Sequence, residues 1–209
     1  MSGLTSLSVD LGLGLDLHPT QVLYLLFLAA LGIQRLIELR ISGRNQRWAL
    51  EQGGVEYGRE HFPLMKVLHT GFLLGCAIEV VFLDRPFSAR LGFAMLALVA
   101  VAQGLRFWAM ATLGRRWNVR VIVIPGQSPV TGGPYRFVRH PNYLAVIIEF
   151  LAIPLIHSAL WTAIAFSVLN AWMLSVRIRC EERALNEHAD YQQRLGKKNR
   201  FVPMGSSSS

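Results

Sequence analysis

Apolar residues gather along this chain in long runs, and three runs are long enough to cross a bilayer: about Pro19 to Leu39, Leu64 to Leu83 and Leu91 to Leu113. A transmembrane helix rises about 1.5 Å per residue and needs roughly 20 mostly apolar residues to cover about 30 Å of hydrocarbon. A fourth run, from Tyr143 to about Val176, is too long for one span and is interrupted by Pro154, His157 and Ser158. It predicts a helical hairpin over residues 143–178. The first arm, about 15 residues or about 22 Å, is short for a crossing, which suits a tilted or partly re-entrant helix. The pattern predicts an all-α integral membrane protein with about five transmembrane helices, the last two forming the hairpin.

Composition supports this. Of 209 residues, 52% are hydrophobic and 16% charged, with a mean hydropathy of +0.36; an ordinary soluble domain carries about 25% charge. A cytosolic enzyme is therefore not expected. Twenty-one Lys and Arg against 13 Asp and Glu give a net charge of +8, which fits either nucleic acid or an anionic membrane surface. The distribution decides between them. No basic residue precedes Arg35, only Arg85 and Arg90 lie between the second and third spans, and the rest flank the other segments. The positive-inside rule then puts the N-terminus outside and the C-terminus in the cytoplasm, with the stretches 40–66, 115–139 and 177–200 on the cytoplasmic side. Topology accounts for the charge, and no nucleic-acid partner is expected.

Residues 1–18 lack a basic n-region and hold Asp10 and Asp16, so they read as a flexible leader and not as a cleaved signal. The glycines between those aspartates lack the strand-turn-helix setting of a nucleotide fingerprint. Residues 19–113 then hold three membrane helices with a cytoplasmic loop at 40–63, residues 114–203 a core that carries the chemistry, and residues 204–209 a low-complexity tail expected to be disordered. Cys76 and Cys180 are far apart, with no CxxC pair and no histidine cluster, so neither a disulfide framework nor a metal site is expected.

The chemistry concentrates before the hairpin. Trp117-Asn118, an apolar stretch to Ile124 and Pro125-Gly126 lead into Val130-Thr-Gly-Gly-Pro-Tyr-Arg-Phe-Val-Arg-His-Pro-Asn-Tyr143. Pro141 suits the first turn of a helix, with Asn142 or the residue before the proline as a cap. Such a helix start leaves backbone N–H groups free for an anionic ligand group. A second constellation closes the last helix, where spacings of seven and four put Asn170, Arg177 and Glu181 along one face. Within the spans, Glu79, Arg106 and Glu149 each need a partner, since an unpaired charge at mid-membrane costs about 2.5–3.5 kcal/mol on an insertion scale. Glu79 and Arg106 are expected to pair between the second and third helices. Glu149, seven residues after Asn142, is expected to line the floor of the site, and His157 to cap the hairpin turn. The long first loop, with Glu56-Tyr57 and His61-Phe62-Pro63, is a candidate lid.

The stretch Gly133-Pro-Tyr-Arg-Phe-Val-Arg-His-Pro-Asn-Tyr143, with Arg177-Ile-Arg-Cys-Glu-Glu-Arg-Ala-Leu185, Tyr191 and Arg200-Phe-Val-Pro203, resembles the isoprenylcysteine carboxyl methyltransferase family of membrane enzymes that use S-adenosylmethionine. The resemblance runs from about Trp117 to Pro203. It implies that Tyr135, His140, Pro141, Asn142, Tyr143 and Glu181 hold the methyl donor, with Ser128, Pro129 and Val130 contributing backbone, and that Arg177 lies by the methyl-accepting group. The N-terminal half departs from the eukaryotic pattern and looks like a bacterial branch similar to O-methyltransferases that accompany type III polyketide synthases and act on long-chain alkylpyrones or alkylresorcinols. That branch implies the bacterial inner membrane.

Methyl transfer needs the acceptor oxygen in line with the methyl–sulfur bond, so positioning supplies much of the rate. Arg177 is expected to orient an anionic oxygen of a lipophilic acceptor entering from the bilayer. An ionised carboxylate or acidic enol needs no strong base, whereas a phenol with a pKa near 10 does. No unambiguous base stands out; Glu149 and His140 are candidates. Phospholipid N-methylation is a neighbouring alternative. A second is a lipid or sterol reductase, which has a similar loop and binds NADPH, with Arg115, Arg116 and Arg120 near a 2′-phosphate. A membrane scaffold would explain the spans and leave the dense loop unexplained.

Overall fold

The computed structural model of the chain describes residues 9–10, 16–188 and 198–201. Five α-helices carry it: α1 (Pro19–Glu51), α2 (His61–Phe82), α3 (Ala89–Leu113), α4 (Pro141–Leu155) and α5 (Leu160–His188). Four are long and apolar enough to cross a membrane, and α4, at 15 residues, is the short one. Leu23, Ile33, Val67, Ile78, Val101 and Trp161 stand exposed on the outer faces, as a lipid-facing surface requires. Two short ladders accompany the helices: β1 (Val9–Asp10) with β2 (Asp16–Leu17), and β3 (Val55–Tyr57) with β4 (Val121–Val123). The expected flexible leader therefore holds a two-residue pairing. The expected tail at 204–209, Tyr191, Val202 and Pro203 lie outside the described residues.

The first span runs on where a loop over 40–63 was expected. α1 continues to Glu51, and 33 residues make a rod of about 50 Å. No proline breaks this extension, and its polar face is held by the segment after α3. Ser42 Oγ bonds Asn118 Oδ1 at 2.7 Å and Asn45 Nδ2 donates to the Trp117 carbonyl at 2.7 Å. The helix stops where Gly53 takes φ 78° and the Gly54 N–H reaches back to the Ala49 carbonyl, a left-handed glycine stop. The chain then forms β3, which pairs antiparallel with β4 in the register Val55–Val123. His61-Phe62-Pro63 begin α2. The stretch proposed as a lid is thus pinned by a strand pair and by an Arg120–Glu56 ion pair.

α4 packs mostly against the other helices. Ala145, Val146, Phe150, Ala152 and Ile153 are buried. Phe150 stacks on Phe72 of α2 with ring centroids 4.2 Å apart, and the Tyr24 hydroxyl of α1 donates to the Ile153 carbonyl at 3.0 Å. The turn after α4 closes through Ser158 at φ 56°. His157 there is buried against Tyr24 and Phe87, with Nε2 3.3 Å from Thr20 Oγ1, so it ties the turn to α1.

The expected Glu79–Arg106 pair does not form. Glu79 accepts from the backbone N–H groups of Trp161 at 3.1 Å and Thr162 at 2.6 Å, and pairs with Arg85 at 2.9 Å. A carboxylate at a helix start satisfies orphan N–H groups and complements the helix dipole, and this one serves α5 from a neighbouring helix. Replacing Glu79 by alanine is expected to cost about 1–2 kcal/mol of stability. Glu79→Gln, which keeps an acceptor, is expected to recover part of that. Thermal unfolding in detergent reads the difference, and an unchanged midpoint for Glu79→Ala would refute the capping role.

Candidate active site

A cavity of about 690 Å³ opens among α1, α2, α4, α5 and the segment from Trp117 to Val130. Its two ends differ in chemistry. One is walled by Gly32, Leu36, Leu73 and Leu74, of which Leu36 is 61% and Leu74 56% exposed on the outer helix surface, so this end reaches the lipid face. The other is walled by Tyr135, His140, Asn142, Tyr143, Asn170, Arg177 and Glu181, with Ser128, Pro129 and Val130 across from them.

At the polar end Tyr143 is the bridge. Its hydroxyl donates to the Glu181 carboxylate and accepts from Arg177 Nε at 2.9 Å. Arg177 is buried; its other nitrogens reach the Val119 carbonyl and, at 3.4 Å, Met65 Sδ. A guanidinium has five N–H donors, so three contacts leave capacity for a ligand. Burial, and then the nearby Glu181 carboxylate, push the Tyr135 phenol above its ordinary value, so it faces the cavity as a neutral donor. Gly133 sets Tyr135 in place. Its φ of 53° favours glycine, and a Cβ there would collide with the Thr112 side chain.

Glu182, one residue beyond Glu181, faces a different set of partners. It accepts from Arg200 at 3.0 and 2.6 Å, meets Arg139 at 3.3 Å, and lies 3.1 Å from His140 Nε2. The backbone of residues 199–200 also receives the N–H groups of Arg139 and His140, both at 3.1 Å, and Lys198 donates to the Tyr135 carbonyl at 2.9 Å. The two glutamates thus divide the work: Glu181 borders the cavity, and Glu182 ties the His140 loop to the returning C-terminal segment.

Buried polar atoms without partners gather around the cavity. Among the described residues seven side-chain N or O atoms are buried with no hydrogen-bond partner. Four of them, Trp117 Nε1, Arg139 Nε, Asn142 Oδ1 and Asn170 Oδ1, belong to residues that line this one cavity. Each such atom costs about 1–3 kcal/mol unless something meets it.

A model of the isoprenylcysteine carboxyl methyltransferase (ICMT) family matches residues 95–187. Over 168 residues the chain is 39% identical to the uncharacterized protein YpbQ of Bacillus subtilis, covering 80% of this chain and 99% of that protein. The chain belongs to the isoprenylcysteine carboxyl methyltransferase family. An uncharacterized protein of Haemophilus influenzae is 28% identical over 153 residues, covering 73% of this chain and 88% of that protein. Membership makes this a multi-pass membrane protein of a methyltransferase family, and the matched stretch holds the polar end of the cavity.

Against this family frame the expected site residues fall as follows. Ser128, Pro129, Val130, Tyr135, His140, Asn142, Tyr143, Arg177 and Glu181 all border the cavity; Pro141 is buried behind it as the first residue of α4. His140 occupies the N-cap position without a side-chain cap bond, its ring being turned to Glu182. Asn142 is the second helical residue and no cap. Glu149 does not line this cavity. It is held by Arg106 at 3.1 and 2.5 Å and by Arg35 at 3.0 Å, and Glu38 completes the group through Arg35 at 2.6 Å and Arg106 at 3.6 Å. The reason is charge neutrality. A glutamate deep in α4 takes the nearest buried cations, and these lie on α1 and α3. Sequence reasoning missed the structural part of Glu182 and the cavity positions of His69, Asn118 and Trp117's indole N–H; the Trp117-Asn118 pair at the loop start was the one visible signal. Among the described residues no group of three or more His, Cys, Asp or Glu side chains is placed to hold a metal ion.

Proposed function

We propose that this protein is an S-adenosylmethionine-dependent methyltransferase that moves a methyl group to an oxygen of a lipophilic acceptor. The observation that carries the reading is one cavity lined both by Leu36 and Leu74, exposed on the outer helix surface, and by the polar group of Tyr135, His140, Asn142, Tyr143, Arg177 and Glu181. A donor with an amino-acid end and a nucleoside fits the polar end. Glu181 would accept from its amino or hydroxyl groups, and Tyr135 and Asn142 would give and receive single bonds. The free first-turn N–H groups of α4 and the 128–130 backbone would serve the remaining polar edges. Bound there, the sulfonium supplies an electrophilic methyl group and a neutral thioether to leave.

The chain's own part is orientation and charge. Arg177 presents a fixed guanidinium beside the place where the acceptor oxygen must sit, and Tyr143 holds that guanidinium in register with Glu181. A fixed cation stabilises an anionic oxygen without reorganising at the moment of transfer. The same cation repels a protonated amine, which favours oxygen over the amine of a phospholipid headgroup. It also supports an acceptor of the acidic, long-tailed kind expected from the polyketide-associated branch. NADPH is less well served: Arg120 is tied to Glu56, and Arg116 donates to the Ser128 carbonyl at 2.9 Å. The polar end belongs on the cytoplasmic side in this reading, where a water-soluble donor is available.

The test is calorimetric titration of the purified protein in detergent with S-adenosylmethionine and, separately, with NADPH. Saturable binding of the methyl donor is expected, weakened about tenfold or more in Glu181→Ala, as loss of a charged hydrogen-bond partner implies. Binding of NADPH alone would overturn the proposal.

A further inference from the structure

The α2 wall of the cavity carries a histidine that the polar end does not use. Met65, His69 and Leu73 follow one another at four-residue spacing and all face the cavity. His69 Nδ1 lies 2.9 Å from the Met65 carbonyl. A carbonyl only accepts, so Nδ1 bears the proton and Nε2 holds a lone pair. The ring is fixed edge-on against Phe150, centroids 5.0 Å apart.

The charged groups around it are already matched to one another. Arg35 and Glu38 on α1, Arg106 on α3 and Glu149 on α4 form the closed ion-pair group, and Arg177 on α5 reaches Met65, one turn away. Among the described residues no carboxylate pairs with His69. Arg177 and His69 both line the cavity, so an oxygen held there can accept from the guanidinium and donate to the imidazole.

We propose that His69 is the proton acceptor for the methyl-accepting molecule whenever its reacting oxygen is a hydroxyl. The inference rests on the methyl-transfer reading above. His69 Nε2 removes the hydroxyl proton while the oxygen lone pair forms the new O–C bond; the C–S bond of the sulfonium breaks and its electron pair stays on sulfur, leaving a neutral thioether. The imidazolium then releases its proton to water.

The first test needs no methyl donor. Wild-type protein in detergent should bind meta-pentadecylphenol about tenfold more tightly than its methyl ether, and His69→Leu should erase that difference. A difference that persists in the variant, or is missing in wild type, overturns the assignment. The second test uses turnover. At pH 7, His69→Gln should lower kcat on the phenol by about 10²–10⁴, with a defect that shrinks as pH rises and nearly vanishes on a dinitro-substituted phenol, which is fully ionised at that pH. Equal losses on both phenols would mark a merely structural role, and no loss on either would mark none; each sinks the proposal. Should neither variant fold, wild type decides alone. Its rate on the un-ionised phenol should fall on the acid side as one enzyme group takes up a proton, and its rate on a phenol that stays ionised over the same pH range should not. S-adenosylmethionine affinity, measured throughout, separates the two readings. Absence of donor binding in wild type defeats methyl transfer itself, whereas intact donor binding with unaltered phenol chemistry defeats only His69.

Discussion

Arg177→Ala is expected to cut kcat by about 10²–10³, the usual size of losing one preorganised donor at a developing charge, with a much smaller change in methyl-donor affinity. Arg177 lines the cavity, hydrogen-bonded to Tyr143, to the Val119 carbonyl and to Met65 Sδ. Its remaining N–H groups are the ones this reading assigns to the acceptor oxygen. Because Tyr143 also donates to Glu181, some loosening of the donor half will follow, of a few-fold and not more. Lysine should not rescue turnover, since a single ammonium cannot hold three directions at once. Single-turnover rates at saturating donor, set beside calorimetric affinities, check this. Equal loss of binding and turnover would refute the division of roles.

Glu149→Ala is expected to be the most destabilising substitution among those considered, by about 3–5 kcal/mol, the cost of breaking a buried ion pair and stranding its partner. Removal of this carboxylate leaves Arg35 and Arg106 with Glu38 alone, and Arg106 has almost no access to water. Glu149→Gln keeps hydrogen bonds and should lose less. Joint replacement of Glu149 by leucine and Arg106 by methionine should recover most of the loss, because a well-packed apolar pair often equals a buried ion pair. Thermal unfolding in detergent reads all three. If Glu149→Ala unfolds like wild type yet loses acceptor binding, the residue belongs to the cavity floor after all and the structural account fails.

The two glutamates expected to be functional or paired across helices show where a linear reading stops. Seven-residue spacing put Glu149 on the Asn142 face, and this was right about the helix and wrong about the cavity. The turn of α4 that carries Glu149 meets α1 and α3, where Arg35 and Arg106 neutralise it. Glu79 and Arg106 looked complementary because both interrupt neighbouring spans. Each instead found partners from helices distant in sequence: Glu79 the open N–H groups of α5, Arg106 the carboxylates of α1 and α4. Spacing along one helix reports a face and says nothing about which helix packs there.

His69 was invisible for a related reason. A single histidine within an apolar run has no local signature, and only the packing of α2 beside Tyr143 and Arg177 turns it toward a shared space. Glu182 differed from Glu181 by one position, a rotation of about 100° on the helix. That rotation sends one carboxylate to the cavity and the other to Arg200, Arg139 and His140.

By itself the sequence determined the helical, membrane-directed character of the chain, the hairpin with its short first arm, and the common face of Asn170, Arg177 and Glu181. These are local properties, set by run length and by the 3.6-residue period, and they hold whatever the helices pack against. Tertiary structure alone decided the run of α1 through the supposed loop, the strand pair that pins residues 55–57 to 121–123, the closed group of Arg35, Glu38, Arg106 and Glu149, and the cavity that brings α2 to the polar end. The physical reason is that buried charges and unpaired polar groups must be matched in three dimensions, and the partners that match them lie 40 to 120 residues away along the chain.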